Sequence, residues 1–91
     1  MKSRRTQYEL YWEILIYCKN PRSFTSIIHK CNLNSKIGQE HIDFLKQKQY
    51  LLNIKESNKS FYKTSEKAQE FITLFSQIYR ELFEENLTLV D

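Results

Sequence analysis

Glycine and proline occur only once each in this 91-residue chain. So little of either excludes a disordered, collagen-like or loop-rich protein, and regular elements must carry most of the length. No apolar run approaches the ~20 residues a bilayer-spanning helix requires. The N-terminal MKSRRTQYEL lacks the apolar centre of a secretion signal. A cytoplasmic protein with no membrane partner is therefore expected. Two cysteines, Cys18 and Cys31, and two histidines, His29 and His41, fall at none of the paired spacings of a zinc site. They read as buried thiols on apolar helix faces and as surface or core-edge imidazoles. Spacing alone leaves open whether the two thiols are joined. There is no Gly-rich phosphate loop and no Ser-His-Asp arrangement. No enzyme activity, cofactor or small-molecule ligand is expected.

Aromatic residues, by contrast, are abundant: six Tyr, six Phe and one Trp. In a chain that forms one small domain they can fill a modest core or a subunit interface. The net charge of +3 conceals an asymmetry. Residues 1–63 hold twelve Lys or Arg against five Asp or Glu, a balance of +7, while residues 64–91 hold two against six, a balance of −4. A part that binds polyanions followed by an acidic segment is the simplest reading.

The most informative stretch is SFTSIIHKCNLNSKIGQEHIDFLKQK, residues 23–48. Ser23 is placed to cap a helix over Phe24–Cys31. Asn32 tolerates the left-handed conformation that closes a helix, and Asn34 is a good cap for the next, over Ser35–Gln47. Two helices joined by so tight a turn have the spacing of a helix-turn-helix, in which the second helix enters the DNA major groove. The same spacing also suits two packed helices of any small domain. On the second helix, Ile37, His41, Ile42, Phe44 and Leu45 form the apolar side. Ser35, Lys36, Gln39, Glu40, Asp43, Lys46 and Gln47 form the exposed side. Gly38 within it costs ~1 kcal/mol relative to alanine, and implies a close approach to the chain's N-terminal helix, residues 6–18, or to DNA.

Upstream, Lys2, Arg4 and Arg5 form a short basic arm. Residues 6–18 follow as a helix whose stripe is Leu10, Tyr11, Ile14, Leu15, Tyr17 and Cys18. Trp12 lies off this stripe and is expected to cover an edge or face a partner subunit. Pro21 ends the helix. Downstream, residues 50–55 and 61–64 alternate as strands around the polar turn 56–60. This makes a hairpin with Lys55, Asn58, Lys59 and Lys63 at or near its tip. Thr64 or Ser65 is placed to cap a last helix running to about residue 85. On it, Phe71, Phe75, Ile78 and Leu82 step by four, three and four, as a coiled-coil seam does. Leu74 widens the stripe. So small a domain covers only part of such a face, and a second chain is expected to cover the rest.

The fold class expected is α+β, mainly α: a winged helix-turn-helix of three helices and a two-stranded wing, with a long C-terminal dimerisation helix. Residues 1–64 would be the DNA-binding domain, 65–85 the dimerisation helix and 86–91 a loose tail. Base-edge contacts fall to Ser35, Lys36 and Gln39. Arg4, Arg5, Arg22, Thr25, Lys55, Asn58, Lys59 and Lys63 fall to the phosphates or the wing groove. Phe71, Leu74, Phe75, Ile78 and Leu82 form the homodimer interface.

The order and spacing of several pieces extend this reading: Arg5…Glu9…Ile14-Leu15, Thr25-Ser26-Ile27, Asn32-Leu33-Asn34, Ile42…Leu45, Tyr62-Lys63-Thr64-Ser65-Glu66-Lys67 and Phe71. Over residues 4–83 the chain resembles the archaeal winged helix-turn-helix DNA-binding proteins that dimerise through a C-terminal helix. These include transcription regulators and small coiled-coil chromatin proteins. The resemblance implies a nucleoid-associated regulator binding double-stranded DNA, with non-specific DNA packaging or a protein-interaction module as alternatives. Three positions depart from the family pattern: Gln49 and Ala68 stand where glycine is usual, and Gly38 where an apolar residue is usual.

Overall fold

Each of the first three helices begins on a side-chain cap. In the computed structural model, which describes residues 6–83, α1 spans Gln7–Tyr17, α2 Phe24–Cys31 and α3 Ser35–Gln47. Thr6 accepts from the Glu9 amide at 3.0 Å, Ser23 from Ser26 at 3.1 Å, and Asn34 from Ile37 at 2.8 Å. Each oxygen satisfies one amide that the first turn leaves unpaired, a contribution of ~1 kcal/mol apiece. The first five residues, with Arg4 and Arg5, and residues 84–91, with the expected tail, lie outside the described part.

α2 and α3 end by the same device. Asn32 adopts the left-handed conformation (φ 56°), and the Leu33 amide reaches back to the Ile28 carbonyl at 3.0 Å. Gln49 does likewise after α3 (φ 67°), and the Tyr50 amide reaches the Leu45 carbonyl at 2.9 Å. These six-to-one bonds are Schellman closures. Asn suits that backbone; Gln, with no short side chain to support it, does not.

The chain then runs into a two-stranded antiparallel wing, β1 (Leu51–Glu56) and β2 (Lys59–Thr64), in register from Leu51↔Thr64 to Glu56↔Lys59. The turn is tighter than the five polar residues suggest. Only Ser57 (φ 50°) and Asn58 (φ 67°) make it, because two consecutive left-handed residues match the twist of the strands. Glu56, Lys59 and Ser60 are drawn into the ladder. Arg22 pairs with Tyr62 through both main-chain bonds, at 3.0 and 2.8 Å, so the loop after α1 forms a one-residue third edge on the wing.

Neither Thr64 nor Ser65 caps the last helix with its side chain. Thr64 Oγ1 donates to the Leu15 carbonyl at 2.6 Å and Ser65 Oγ to the Gln49 carbonyl at 2.7 Å. Both hydroxyls fasten the end of the wing to the body. A 3₁₀ turn over Glu66–Ala68 leads instead into α4, Gln69–Phe83.

The core is built from every element. Tyr11, Ile14, Leu15 and Cys18 of α1 and its C-cap meet Ile27 and Cys31 of α2, Ile42 and Leu45 of α3, Leu51 and Tyr62 of the wing, and Ala68 and Ile72 at the start of the last helix. Trp12 is half-buried and packs against the chain's own last helix. Its indole nitrogen donates to Ser76 Oγ at 3.0 Å, and its ring lies 5.3 Å from Phe75 and 4.8 Å from Tyr79. Gly38 also departs from expectation. Its close neighbour is Ile28 of α2, not the first helix or any surface. Among the described residues no helix is long and apolar enough to cross a membrane.

Candidate nucleic-acid interface

The second helix of the pair, α3, presents Ser35, Lys36, Gln39, Glu40, Asp43 and Gln47 as exposed residues, while Ile42 and Leu45 face inward. The expected apolar side is only partly covered. Phe44 stacks on Tyr11 at 5.1 Å yet stays 38% exposed, and Ile37 is 37% exposed. His41 sits edge-on to Tyr11 at 5.3 Å. Burial of the imidazole lowers its pKa, with Glu40 partly opposing the shift.

On the exposed face, Gln39 Nε2 donates to Asp43 Oδ1 at 2.9 Å. This bond gives Asp43 a local partner one turn back, and holds the amide that would face a base edge. Ser35 and Lys36 lie in the first turn, behind the Asn34 cap. Lys46 and Lys48 lean over the rings of Tyr62 and Phe44, at 5.8 and 5.7 Å. At the wing, Lys55, Asn58 and Lys59 are exposed.

Two of the expected phosphate-binding cations have main-chain partners. Arg22 Nε donates to the Tyr17 carbonyl at 3.0 Å, and its guanidinium lies 4.1 Å from the centre of the Tyr17 ring. Lys63 Nζ donates to the Lys19 carbonyl at 2.9 Å, beyond the end of α1. The first satisfies a carbonyl that the helix end leaves unpaired, the second a carbonyl of the loop that follows. Thr25 is exposed at the start of α2, whereas the Ser26 hydroxyl meets the Tyr17 hydroxyl. The polar role of Tyr17 escaped the sequence, which placed it on an apolar stripe. The available signal was a tyrosine at the stripe's end, opposite a serine one turn into the next helix.

Cys18 and Cys31 are buried and are not joined in a disulfide. Burial, reinforced by the neighbouring Cys31, pushes the Cys18 thiol up to about 12, with Arg22 opposing. Among the described residues no group of three or more His, Cys, Asp or Glu side chains is placed to hold a metal ion.

On α4, Phe71 lies 6.1 Å from Tyr50 and 5.7 Å from Phe75, which in turn meets Trp12. These two rings turn toward the chain's own body. Leu74 and Ile78 are each 51% exposed and Leu82 68%. The outward apolar line is therefore 74, 78 and 82, a step of four throughout.

Three helices, a tight turn between the second and third, a two-stranded wing and a trailing helix define a winged helix-turn-helix domain. The chain belongs to the winged helix-turn-helix family, whose profile matches residues 4–83. Solved structures agree on the fold. The transcriptional regulator BldR from Sulfolobus solfataricus superposes with a TM-score of 0.67 at 18% identity, over 86% of this chain and 63% of that one. The homodimeric winged helix-turn-helix DNA-binding domain of Mb0332 from Mycobacterium bovis gives 0.67 at 16% identity, over 89% and 77%. Sso10a-2, a DNA-binding protein from Sulfolobus solfataricus, gives 0.63 at 23% identity, over 91% of this chain and all of that one. The chain thus spans less than two thirds of the BldR chain. No curated protein sequence matches it.

Proposed function

We propose that the protein is a dimeric, sequence-preferring DNA-binding regulator of transcription, acting in the cytoplasm on the nucleoid. The observation that carries this reading is the pair of exposed polar edges, Ser35, Lys36 and Gln39 on α3 and Lys55, Asn58 and Lys59 on the wing. α3 enters the major groove, where Gln39 reads an adenine edge after leaving Asp43, and Lys36 takes a guanine edge or a phosphate. The wing lysines and Thr25 lie along phosphates. Arg22 and Lys63 hold the wing to the body and add charge to the same half of the chain. The DNA-binding descriptions of Sso10a-2 and Mb0332 support the reading.

Dimerisation goes through Leu74, Ile78 and Leu82. A second copy's identical strip covers them under two-fold symmetry, with Phe71 and Phe75 behind. Two α3 helices then meet half-sites about one helical turn apart.

The test is anisotropy with labelled duplexes across a salt series. Log affinity falls linearly with log salt, by about 0.9 per phosphate contacted, and Lys36→Gln and Lys59→Gln each reduce the slope by about one. Absence of duplex binding at low salt overturns the proposal. A second reading, a protein-interaction module, draws on Glu40 and Asp43, which put carboxylates on the face that would meet DNA. Partner binding that survives reversal of Lys36, Lys59 and Lys63 to Glu would favour it.

A further inference from the structure

The first turns of α3 carry an apolar side chain that the fold leaves uncovered. Ile37 is the third residue of the helix and is 37% exposed. It belongs neither to the core nor to the half-buried residues packed against it. Phe44, further along α3, is exposed to a similar degree but is engaged. It stacks on Tyr11 at 5.1 Å and carries the Lys48 ammonium 5.7 Å from its ring centre. Single exposed apolar residues are common on protein surfaces. What sets Ile37 apart is its surroundings. Lys36 and Ile37 stand four and three residues before Glu40, so the three are neighbours on the helix surface, and Lys36 and Glu40 are exposed.

The side chain is also held in place. The Ile37 amide donates to the Asn34 cap at 2.8 Å, which fixes its backbone at the start of the helix. A residue branched at Cβ keeps one main rotamer in a helix. At the next position Gly38 lies against Ile28, which sets the spacing of α3 from α2. An apolar group is thus presented, at little conformational cost, in the part of the helix that reaches base edges in a helix-turn-helix.

The major groove offers one apolar group, the C5-methyl of thymine. Lys36, Gln39 and Glu40 suit guanine, adenine and cytosine edges through hydrogen bonds, and none of them gains from a methyl. A phosphate or a polar base edge gives Ile37 nothing. We infer that Ile37 is a specificity-determining residue that packs on a thymine C5-methyl in the major groove. This rests on the DNA-binding reading and adds a base preference to it.

The test uses the intact protein and a duplex selected from a random pool. Each thymine is replaced in turn by deoxyuridine, which removes the methyl and keeps every hydrogen-bonding edge. At a thymine met by α3, the parent should bind the uracil duplex about fourfold more weakly, the weight of one buried methyl group. Ile37→Ala should bind the thymine and uracil duplexes alike. Ile16→Ala removes an isoleucine of nearly equal exposure, 38%, from α1 and should keep the parent's ratio. The ratio should persist as salt is raised, because a methyl contact releases no counterions. Circular dichroism confirms that each variant is folded. A selected site without thymine, a parent indifferent to every uracil, or a thymine preference that survives Ile37→Ala overturns the inference. So does a preference lost equally in Ile16→Ala. These outcomes leave duplex binding itself intact; absence of binding at low salt would defeat the DNA-binding reading and this inference with it.

Discussion

Gly38 of α3 stands so close to Ile28 of α2 that a Cβ placed on it would fall 2.0 Å from Ile28 Cδ1. The two helices of the pair touch at this point, and the missing side chain sets their spacing. Alanine at position 38 gains ~1 kcal/mol of helix propensity but must push the Ile28 methyl into a strained rotamer, at a cost of ~0.5–1.5 kcal/mol. The two nearly cancel. In an Ile28→Val background the obstructing methyl is gone, and Gly38→Ala should stabilise by its full ~1 kcal/mol. A double-mutant cycle by urea denaturation measures the coupling. Additive effects would contradict the contact.

Gln49 holds a left-handed backbone (φ 67°) at the close of α3. That conformation costs an ordinary residue ~1–2 kcal/mol, while glycine loses ~0.5–1 kcal/mol more entropy on folding. Gln49→Gly should therefore stabilise by ~0.5–1 kcal/mol, raising Tm by a few degrees. Gln49→Ala, which keeps the Cβ, should give no gain. Calorimetry of the three proteins decides it.

The Cys18 thiol is pushed up to about 12 from an ordinary 9.0, chiefly by burial. The folded state thus keeps its proton where the unfolded chain has lost it. The resulting stabilisation is complete below pH 9 and is lost as pH rises through the window from 9 to about 12. Stability measured across that window should fall less steeply in Cys18→Ala than in the parent. The same burial predicts slow alkylation of the folded protein at pH 8 and rapid alkylation in denaturant.

Leu74, Ile78 and Leu82 face outward along α4. If they meet a second copy, Leu74→Glu with Ile78→Glu should halve the mass seen by light scattering while leaving the helical spectrum intact, since neither side chain belongs to the core. A parent protein that is already monomeric at high concentration would contradict the interface.

Much of the fold was legible because it is written in short-range chemistry. Ser23, Asn32 and Asn34 set the bounds of α2 and the start of α3, since capping depends on residues within one turn. The wing was legible in outline, but its tip was not: a two-residue turn requires two positive φ angles, and Ser57-Asn58 signals that weakly. Long-range partners were invisible. Nothing local says that Thr64 and Ser65 bond to the carbonyls of Leu15 and Gln49 instead of capping a helix. The seam drawn through Phe71 and Phe75 followed helical period alone, which cannot tell a face turned to the chain's own Trp12 from one turned to a partner. For the candidate site, exposure of Ser35, Lys36, Gln39, Lys55 and Lys59 follows from amphipathic pattern. The carbonyl partners of Arg22 and Lys63 depend on tertiary packing and could not be read from it.

The central claim is that α3 and the wing together grip a duplex. The most direct measurement is a nitrogen-15 NMR titration of the protein with a duplex selected from a random pool. Amide shifts should concentrate at residues 35–39 and 55–59, with the outward line of Leu74, Ile78 and Leu82 undisturbed. Shifts confined to residues 69–83, or none at any salt, would contradict it.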